Sequence, residues 1–138
     1  MSIEDDVALL ERVPTMRLLG MTALRMLAIG SEQRDFAQGG VLFRAGDDAD
    51  AGYVVQHGAF RIEDGAGAEV VAGLGTLIGE LALVAAMKRP STATALERSS
   101  VIRVARSLFQ RVLESDPAAA RRLRANSSTA PARSQAIF

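Results

Sequence analysis

Short apolar runs separated by turn-forming residues most constrain the fold of this chain. Between Arg34 and Ala105, apolar or alternating runs are separated by Gly, Asp and Ser at intervals of about a dozen residues or fewer. This spacing is typical of a small antiparallel barrel or jelly roll, because each short strand reverses at a turn that these residues favour. We therefore predict a β-roll over residues 33–105. The runs are VLF, YVVQ, AFRIE, EVVAGL, TATAL and SVIRVA.

The segments on either side of this region have helical spacing. DDVALLERV and MTALRMLAIG predict two short helices within residues 3–30, and Gly30 is expected to end the second. The fold class is thus mainly β with flanking helices, a jelly-roll-like β-roll between N-terminal and C-terminal helices. Apolar positions at helical spacing are Val7, Leu10, Met21, Leu24, Leu27 and Ala28. Met16, Met21 and Met26 are expected to fill the core.

The C-terminal segment predicts two further helices over residues 107–125. In SLFQRVLESD, Leu108, Val112 and Leu113 share a face, and Ser107 is the expected cap. Asp116-Pro117 predicts the N-cap and first residue of the last helix. Residues 1–125 form the predicted domain, and residues 126–138 are expected to be a polar disordered tail.

Composition excludes several classes of protein. The chain has no cysteine and one histidine, so thiol chemistry, iron–sulfur clusters and metal sites are not expected. His57 is expected on an exposed hairpin turn. No apolar run is long enough to span a bilayer and the acidic N-terminus is unlike a signal peptide, so we expect a cytoplasmic protein without membrane contact. Enzymatic activity, haem binding and a cofactor are likewise not expected.

The charge distribution favours a single anionic ligand over nucleic acid. The net charge is zero, which argues against a surface that neutralises many phosphates. However, residues 1–80 contain 6 basic and 13 acidic side chains, whereas residues 81–138 contain 10 and 3. The second segment is where an anion is expected to bind, although pairing of opposite charges across the fold explains most of the asymmetry.

The stretch GELALVAAMKRPSTATA, residues 79–95, interrupts the strand pattern. ELALVAAM favours one helical turn with Gly79 and Glu80 at its amino end, where unpaired N–H groups attract an anion. Arg89 follows in the next loop, and its planar guanidinium matches a phosphate through two parallel hydrogen bonds. Glu80 would instead accept a hydrogen bond from a hydroxyl. The pair therefore fits a nucleotide-like ligand, with the plainer alternative that Glu80 and Arg89 pair with each other and staple the loop.

The same stretch resembles the phosphate-binding cassette of the cyclic nucleotide-binding domain, whose usual form is GELAL, a few variable residues and R-[ST]-A-T-V-x-A. GGVLFRAGDDADAGYVVQHGAF and GLGTLIGE are also similar to family motifs, and the likeness extends over residues 7–125. Ile78 stands where an aromatic residue is commoner, and Gly40 replaces a common glutamate. The motif residues in register are Gly39, Gly46, Asp47, Asp50, Tyr53, Gly58, Gly73, Gly75 and Gly79.

This resemblance, to the family of the cyclic AMP receptor and the regulatory subunit of protein kinase A, implies roles within the cassette, residues 79–95. Arg89 would bind the cyclic phosphate, and Glu80 with Gly79 would bind the ribose 2′-hydroxyl. The Ala82 N–H would add a phosphate contact. Leu81 and Leu83 would anchor the turn in the core.

Three further roles follow from the resemblance outside the turn. Val70 would lie near the purine, and the last helix would fold over the base as a lid. Arg124 falls where some bacterial members have an arginine that faces the ring. Arg121 and Arg122 are expected to be solvated.

Pro90 and Ser91 depart from the family pattern. Pro90 follows the arginine where Ser, Thr or Ala is usual, and it has neither an N–H nor a hydroxyl. The loss of one hydrogen bond would weaken affinity by about one to two decades, although the Ser91 hydroxyl could compensate. Selectivity for cyclic GMP often depends on a threonine at this position. The sequence therefore favours cyclic AMP as the ligand and leaves cyclic GMP open.

Two functions follow as hypotheses from different classes. The first is a cyclic AMP-responsive regulatory module that signals to an unknown effector protein by rearranging its terminal helices. The second is a degenerate roll that has lost the ligand and serves as a protein-interaction or dimerisation scaffold. Only 21 residues follow Pro117, so direct DNA binding is not expected, while homodimer formation is left open.

Overall fold

The computed structural model describes residues 2–129, with side chains through Ala125, as helices, a β-roll and further helices. This order confirms the predicted fold class. One short helix between the two predicted N-terminal helices was not anticipated. The helices of the described chain are α1 (Ile3–Glu11), α2 (Pro14–Arg17), α3 (Met21–Gly30), α4 (Arg106–Ser115) and α5 (Pro117–Thr129), and a 3₁₀ turn spans Glu80–Leu83.

The strands pair antiparallel throughout residues 2–129. One sheet has the order β1-β10-β4-β7, a second has β2-β9-β5-β6, and β3 pairs with β8. The 3₁₀ turn follows β7 after one residue, Gly79. The strands are β1 (Glu32–Phe36), β2 (Val41–Phe43), β3 (Asp48–Ala49), β4 (Ala51–His57), β5 (Phe60–Glu63), β6 (Glu69–Ala72), β7 (Leu77–Ile78), β8 (Met87–Lys88), β9 (Thr92–Ala95) and β10 (Ser99–Ala105).

Buried apolar side chains of the described part form two clusters. One lies inside the roll and includes Phe60 and Ile62. The other joins the helices to the first sheet, and it contains side chains from α1, α3 and α4 as well as Leu83 of the 3₁₀ turn. The turn is therefore part of the core that also holds the helices, so a shift of the turn must disturb helix packing.

Helix ends follow local chemistry in most places. Asp116 accepts a hydrogen bond from the Ala119 N–H at 3.1 Å, which confirms it as the cap of α5. The α3 helix ends at Gly30, as predicted. The prediction that Ser107 caps α4 was wrong, because β10 runs directly into α4 and Ala105 takes the extended N-cap position.

Met21 was also assigned incorrectly to the core. Its side chain is 51% exposed, whereas Met16 is fully buried and Met26 packs at the core edge. Met21 is the first residue of α3, and helical side chains point towards the N-terminus. Its side chain therefore extends beyond the helix end instead of over a preceding turn.

The α5 helix packs against the N-terminal helices. Ala119 is buried in the cluster that contains α1 and α3. Arg122 was expected to be solvated, but its Nε and Nη2 donate to the carbonyls of Leu18 and Leu19 at 2.7 and 2.6 Å. Arg122 remains exposed, as expected, and the contact that the sequence did not reveal caps carbonyl groups left free at the end of α2.

The α5 helix continues to Thr129, four residues past the predicted domain boundary at 125. The remainder of the predicted tail, residues 130–138, lies outside the described residues. Across residues 2–129, no helix combines the length and apolarity that a bilayer crossing needs.

Candidate functional site

Gly79 begins the cassette in a conformation and a space that only glycine fits. Its φ is +79° and its ψ is 41°, in the left-handed region. A Cβ at this position would lie 2.6 Å from Nη1 of Arg89. Gly79 therefore turns the chain from β7 into the 3₁₀ turn and lets the guanidinium pack directly against the backbone.

Arg89 lies beneath this turn and is only 4% exposed. Its Nη2 donates to the Ala51 carbonyl of β4 at 2.9 Å. Its Cζ lies 4.2 Å from the Phe43 ring centroid and 5.4 Å from that of Tyr53. Cation–π contacts and one carbonyl thus hold the side chain in a fixed place.

The Arg89 backbone is fixed as well. Its N–H donates to the Asp47 carbonyl at 2.7 Å, and its carbonyl accepts from the Gly46 N–H at 2.8 Å. Both partners belong to the glycine- and aspartate-rich segment before β3. This contact explains why the two motifs, separated by more than 40 residues, form one site.

No carboxylate neutralises the buried Arg89 cation within the described chain. None of the ion pairs there includes it, and its Nε has no hydrogen-bond partner. Burial lowers its pKa, an effect that the nearby Tyr53 and Asp50 oppose. Asp50 itself pairs with Arg103 at 3.2 Å. An arginine remains protonated in proteins, so this site contains an uncompensated positive charge that an anion would stabilise.

Ser91 adds a second unsatisfied polar group two residues further on. It is fully buried, and its Oγ has no hydrogen-bond partner among residues 2–129. Pro90 between them is exposed. Buried polar atoms without partners are uncommon in folded proteins. Two of them within three consecutive residues therefore give this loop polar groups that a polar partner would satisfy.

Glu80 lies at the other end of the site, and its environment is different. It is half-buried, and its Oε2 accepts a hydrogen bond of 3.0 Å from Oγ1 of Thr15 in α2. No ion pair joins Glu80 to Arg89 in the described chain, so the staple alternative is wrong. The carboxylate accepts from a threonine hydroxyl here, and its role in binding a ribose hydroxyl stays a prediction.

The turn between these two residues corrects one expectation. Leu83 is buried, as predicted, but Leu81 is 62% exposed and does not anchor the turn. In a 3₁₀ turn of three residues per turn, the consecutive buried pair Ala82 and Leu83 leaves Leu81 on the opposite side. The Ala82 N–H donates to the Gly79 carbonyl at 3.1 Å, so its role in phosphate binding stays a prediction.

Val70 and Arg124 lie outside the cassette. Val70 of β6 is 40% exposed, and Arg124 is exposed on α5. Their assignment to the purine stays a prediction. His57 is exposed at the end of β4, as expected, and no cluster of three acidic or histidine side chains that could hold a metal ion occurs within residues 2–129.

Arg106 is a site residue that the sequence analysis missed. It is the first residue of α4, and its Nη1 donates to the carbonyls of Ala49, Ala82 and Ala85 at 2.9, 3.0 and 3.0 Å. One guanidinium thus ties the start of α4 to β3, to the 3₁₀ turn and to the residues just after that turn. No local pattern signals such a contact, because carbonyl acceptors do not depend on residue type.

Thr15 was missed for a similar reason. It is 65 residues from Glu80 in sequence, and its only local signal is the VPT sequence at the start of a one-turn helix. Phe43 was also missed, although its strand was predicted, because strand alternation alone does not reveal which aromatic ring will meet the arginine.

Comparison with known proteins identifies the family of the chain. The family model of the cyclic nucleotide-binding domain matches residues 33–116, which is more than half of the chain. The chain therefore belongs to the cyclic nucleotide-binding domain family.

Several solved structures resemble the chain. A cyclic nucleotide-binding-like protein from Brucella abortus is 35% identical with a TM-score of 0.70, and the match covers 80% of this chain and 98% of that one. The N-terminal domain of a transcriptional regulator from Streptomyces coelicolor is 29% identical with a TM-score of 0.71, over 91% and 97% of the two chains. The sensor domain of the transcriptional regulator DNR from Pseudomonas aeruginosa shares the fold, with 24% identity, a TM-score of 0.73 and coverage of 88% and 85%.

Proposed function

We propose that this protein is a regulatory module that binds a cyclic nucleotide, with cyclic AMP favoured over cyclic GMP. The observation on which this depends is Arg89, a buried guanidinium without an acidic partner in the described chain and with a free Nε. Leaving a buried cation unpaired is costly. A cyclic phosphate supplies the missing negative charge, and the family to which the chain belongs makes that anion the natural candidate.

The two ends of the site suit the two ends of a ribose cyclic phosphate. Arg89 would bind the phosphate, the Ser91 hydroxyl would donate to it, and Glu80 would accept from the ribose 2′-hydroxyl. Because Arg89 is almost fully buried, the 3₁₀ turn must shift to admit the phosphate. Ligand binding is thus coupled to movement of residues 79–85.

The preference for cyclic AMP is supported by Pro90. A threonine hydroxyl after the arginine would favour guanine, and proline has none. Cyclic GMP then gains no specific contact at this position. We expect cyclic AMP to bind about three- to tenfold more tightly, which corresponds to roughly one hydrogen bond.

Signalling is proposed to occur through the terminal helices. Arg106 connects the 3₁₀ turn with α4, and Arg122 connects α5 with the end of α2. When the turn moves, Arg106 either follows it or loses its carbonyl partners, and both outcomes change the packing of α4. A nucleotide shifts these helices only if it binds one arrangement more tightly than the other. No catalytic step belongs to this proposal.

A scaffold that has lost its ligand is the second candidate. It is favoured by the Thr15 contact at Glu80, by Pro90, and by the exposed leucine and valine on the turn, Leu81 and Val84. Exposed apolar side chains are common at protein interfaces. This alternative predicts a folded chain that does not bind cyclic nucleotides and that associates with itself or with another protein.

Calorimetric titration separates the two candidates. The purified chain is titrated with cyclic AMP, cyclic GMP and 5′-AMP, and the Arg89→Ala and Arg98→Ala variants are titrated with cyclic AMP. Arg98 is exposed and lies outside the cassette, so it controls for the loss of an arginine. We expect cyclic AMP to bind most tightly, 5′-AMP to bind poorly, and only Arg89→Ala to abolish the signal.

Circular dichroism shows whether each variant remains folded. If the folded wild-type chain gives no signal with either cyclic nucleotide, the sensor proposal is wrong and the scaffold remains. If Arg89→Ala binds as tightly as the wild type, the ligand lies elsewhere.

A further inference from the structure

The hydrogen bond between Thr15 and Glu80 connects the N-terminal helices with the hydroxyl-binding end of the site. Thr15 lies in α2 and donates from Oγ1 to Glu80 Oε2 at 3.0 Å. The donor is a secondary hydroxyl and the acceptor is a carboxylate. A ribose 2′-hydroxyl is also a secondary hydroxyl and would make the same type of bond.

We propose that Thr15 is a built-in competitor of the nucleotide, whose hydroxyl occupies Glu80 until the ribose displaces it. This inference rests on the proposed function, because it assigns a regulator to that same site. The competition weakens nucleotide binding by the strength of the Thr15–Glu80 bond. It also makes the position of α2 depend on whether the ribose is bound.

Packing presents Thr15 to Glu80 in a defined position. The neighbours of Thr15 in and around α2, Val13, Met16 and Leu19, are buried in the helical core. Pro14 fixes the start of α2. Thr15 is therefore held by a packed element, so its hydroxyl loses little additional freedom when it binds Glu80.

The other end of α2 is held by the C-terminal helix. Arg122 of α5 donates to the Leu18 and Leu19 carbonyls immediately after α2. The short helix thus contacts the cassette at one end and α5 at the other. Displacement of Thr15 consequently shifts α2 and changes its contact with α5. This route is separate from the contact that Arg106 makes between the 3₁₀ turn and α4.

The competition predicts a dependence on the 2′-hydroxyl of the ligand. Cyclic AMP must break the Thr15–Glu80 bond, so removal of the threonine hydroxyl should improve its binding. Cyclic 2′-deoxy-AMP has no hydroxyl for Glu80 and leaves the bond in place. Removal of the threonine hydroxyl should therefore leave its affinity unchanged.

Thr15→Val tests this prediction because valine keeps the shape of threonine without its hydroxyl. The variant and the wild type are titrated calorimetrically with cyclic AMP and with cyclic 2′-deoxy-AMP. Because Glu80 is only half-buried, we expect the low end of the effect of a charged hydrogen bond, about a tenfold gain for cyclic AMP and less than about twofold for the deoxy ligand. Thr22→Val, an exposed threonine on α3, is the matched control and should change neither affinity.

Each other result contradicts the inference in a recognisable way. Equal affinities of Thr15→Val and wild type for cyclic AMP would show that Thr15 does not compete. Equal gains for both ligands would show a general structural effect of the substitution. If neither protein binds any cyclic nucleotide, the proposed function fails and this inference with it, whereas binding by Thr15→Val alone would support the competition.

Discussion

The two ends of the cassette differ in what holds their charged side chains. Arg89 is buried, lies on two aromatic rings and has no acidic partner in the part of the chain described here. Glu80 is half-buried and already accepts a hydroxyl hydrogen bond from an element outside the roll. The cationic end is thus built by the β-roll, whereas the acidic end is shared with the N-terminal helices.

Under the proposed function, this difference assigns affinity mainly to the roll and regulation mainly to the helices. The roll holds Arg89 in one position through β4, the ring of Phe43 and the backbone of Gly79. Phosphate binding should therefore depend mainly on residues of the roll. Glu80 can exchange one hydroxyl for another, and helix positions should depend mainly on that exchange.

Replacement of Arg89 should have the largest effect on binding. In Arg89→Lys the charge remains but the planar guanidinium is lost, so affinity for cyclic AMP should fall by about a hundredfold. Glu80→Gln should reduce the affinity by only about tenfold. The substitution weakens the bond to the ribose, but it also weakens the Thr15 hydrogen bond that the ribose has to displace. Calorimetry on both variants measures the ratio. If Glu80→Gln weakens binding more than Arg89→Lys, the acidic end contributes more to the affinity than the cationic end, and the prediction is wrong.

Gly79→Ala should destabilise the fold strongly, because it combines backbone strain with a clash against Arg89. We expect a loss of about 2–3 kcal/mol in the free energy of unfolding, measured with urea. Gly65→Ala is the matched control, since Gly65 has the same φ of +79° but open space around it, and it should lose only about 1 kcal/mol.

The difference between the two glycine variants isolates the contact with Arg89. In the Arg89→Ala background the clash is absent, so the additional loss caused by Gly79→Ala should fall towards that of Gly65→Ala. Strictly additive losses would show that the guanidinium does not limit the space at Gly79.

Arg106→Ala should have an intermediate effect. One guanidinium nitrogen serves the carbonyls of Ala49, Ala82 and Ala85, so its loss should cost about 2 kcal/mol of stability. Hydrogen exchange should also speed up in the 3₁₀ turn and the start of α4 together. Arg111→Ala, an exposed arginine of the same helix, should change stability by less than about 0.5 kcal/mol. Faster exchange in α4 alone would mean that Arg106 does not couple it to the turn.

Arg122→Ala should have the smallest effect and act on the acidic end only. Loss of its two carbonyl contacts should destabilise the fold by about 1 kcal/mol. If α2 then holds Thr15 less firmly, affinity for cyclic AMP should rise by about twofold. Arg121→Ala, the exposed neighbour on α5, should leave both quantities unchanged. A fall in affinity would show that Arg122 supports nucleotide binding instead of opposing it.

Local sequence patterns predicted those parts of the molecule that depend on near neighbours. Asp116-Pro117 started α5 because an aspartate cap and a proline need only the next turn. Gly79 was placed at the amino end of the turn, and the arrangement of helices around a β-roll followed from the spacing of apolar runs.

The failures came from contacts between distant segments and from helix ends. Leu81 and Met21 belong to correct elements, but sequence spacing did not reveal which side of a short turn or helix end is covered. Thr15, Arg106 and Arg122 act through partners 65, 21–57 and about 100 residues away, respectively. Two of these bind carbonyl oxygens, which every residue possesses, so no residue pattern could identify them.

The ring beside Arg89 gives the protein an intrinsic optical probe. Tyr53 is the single tyrosine of the sequence, which contains no tryptophan, and its centroid lies 5.4 Å from the guanidinium carbon. Tyrosine emission, excited at the long-wavelength edge where adenine absorbs little, therefore originates next to Arg89 alone. Stopped-flow mixing could follow the arrival of an anion there without any label.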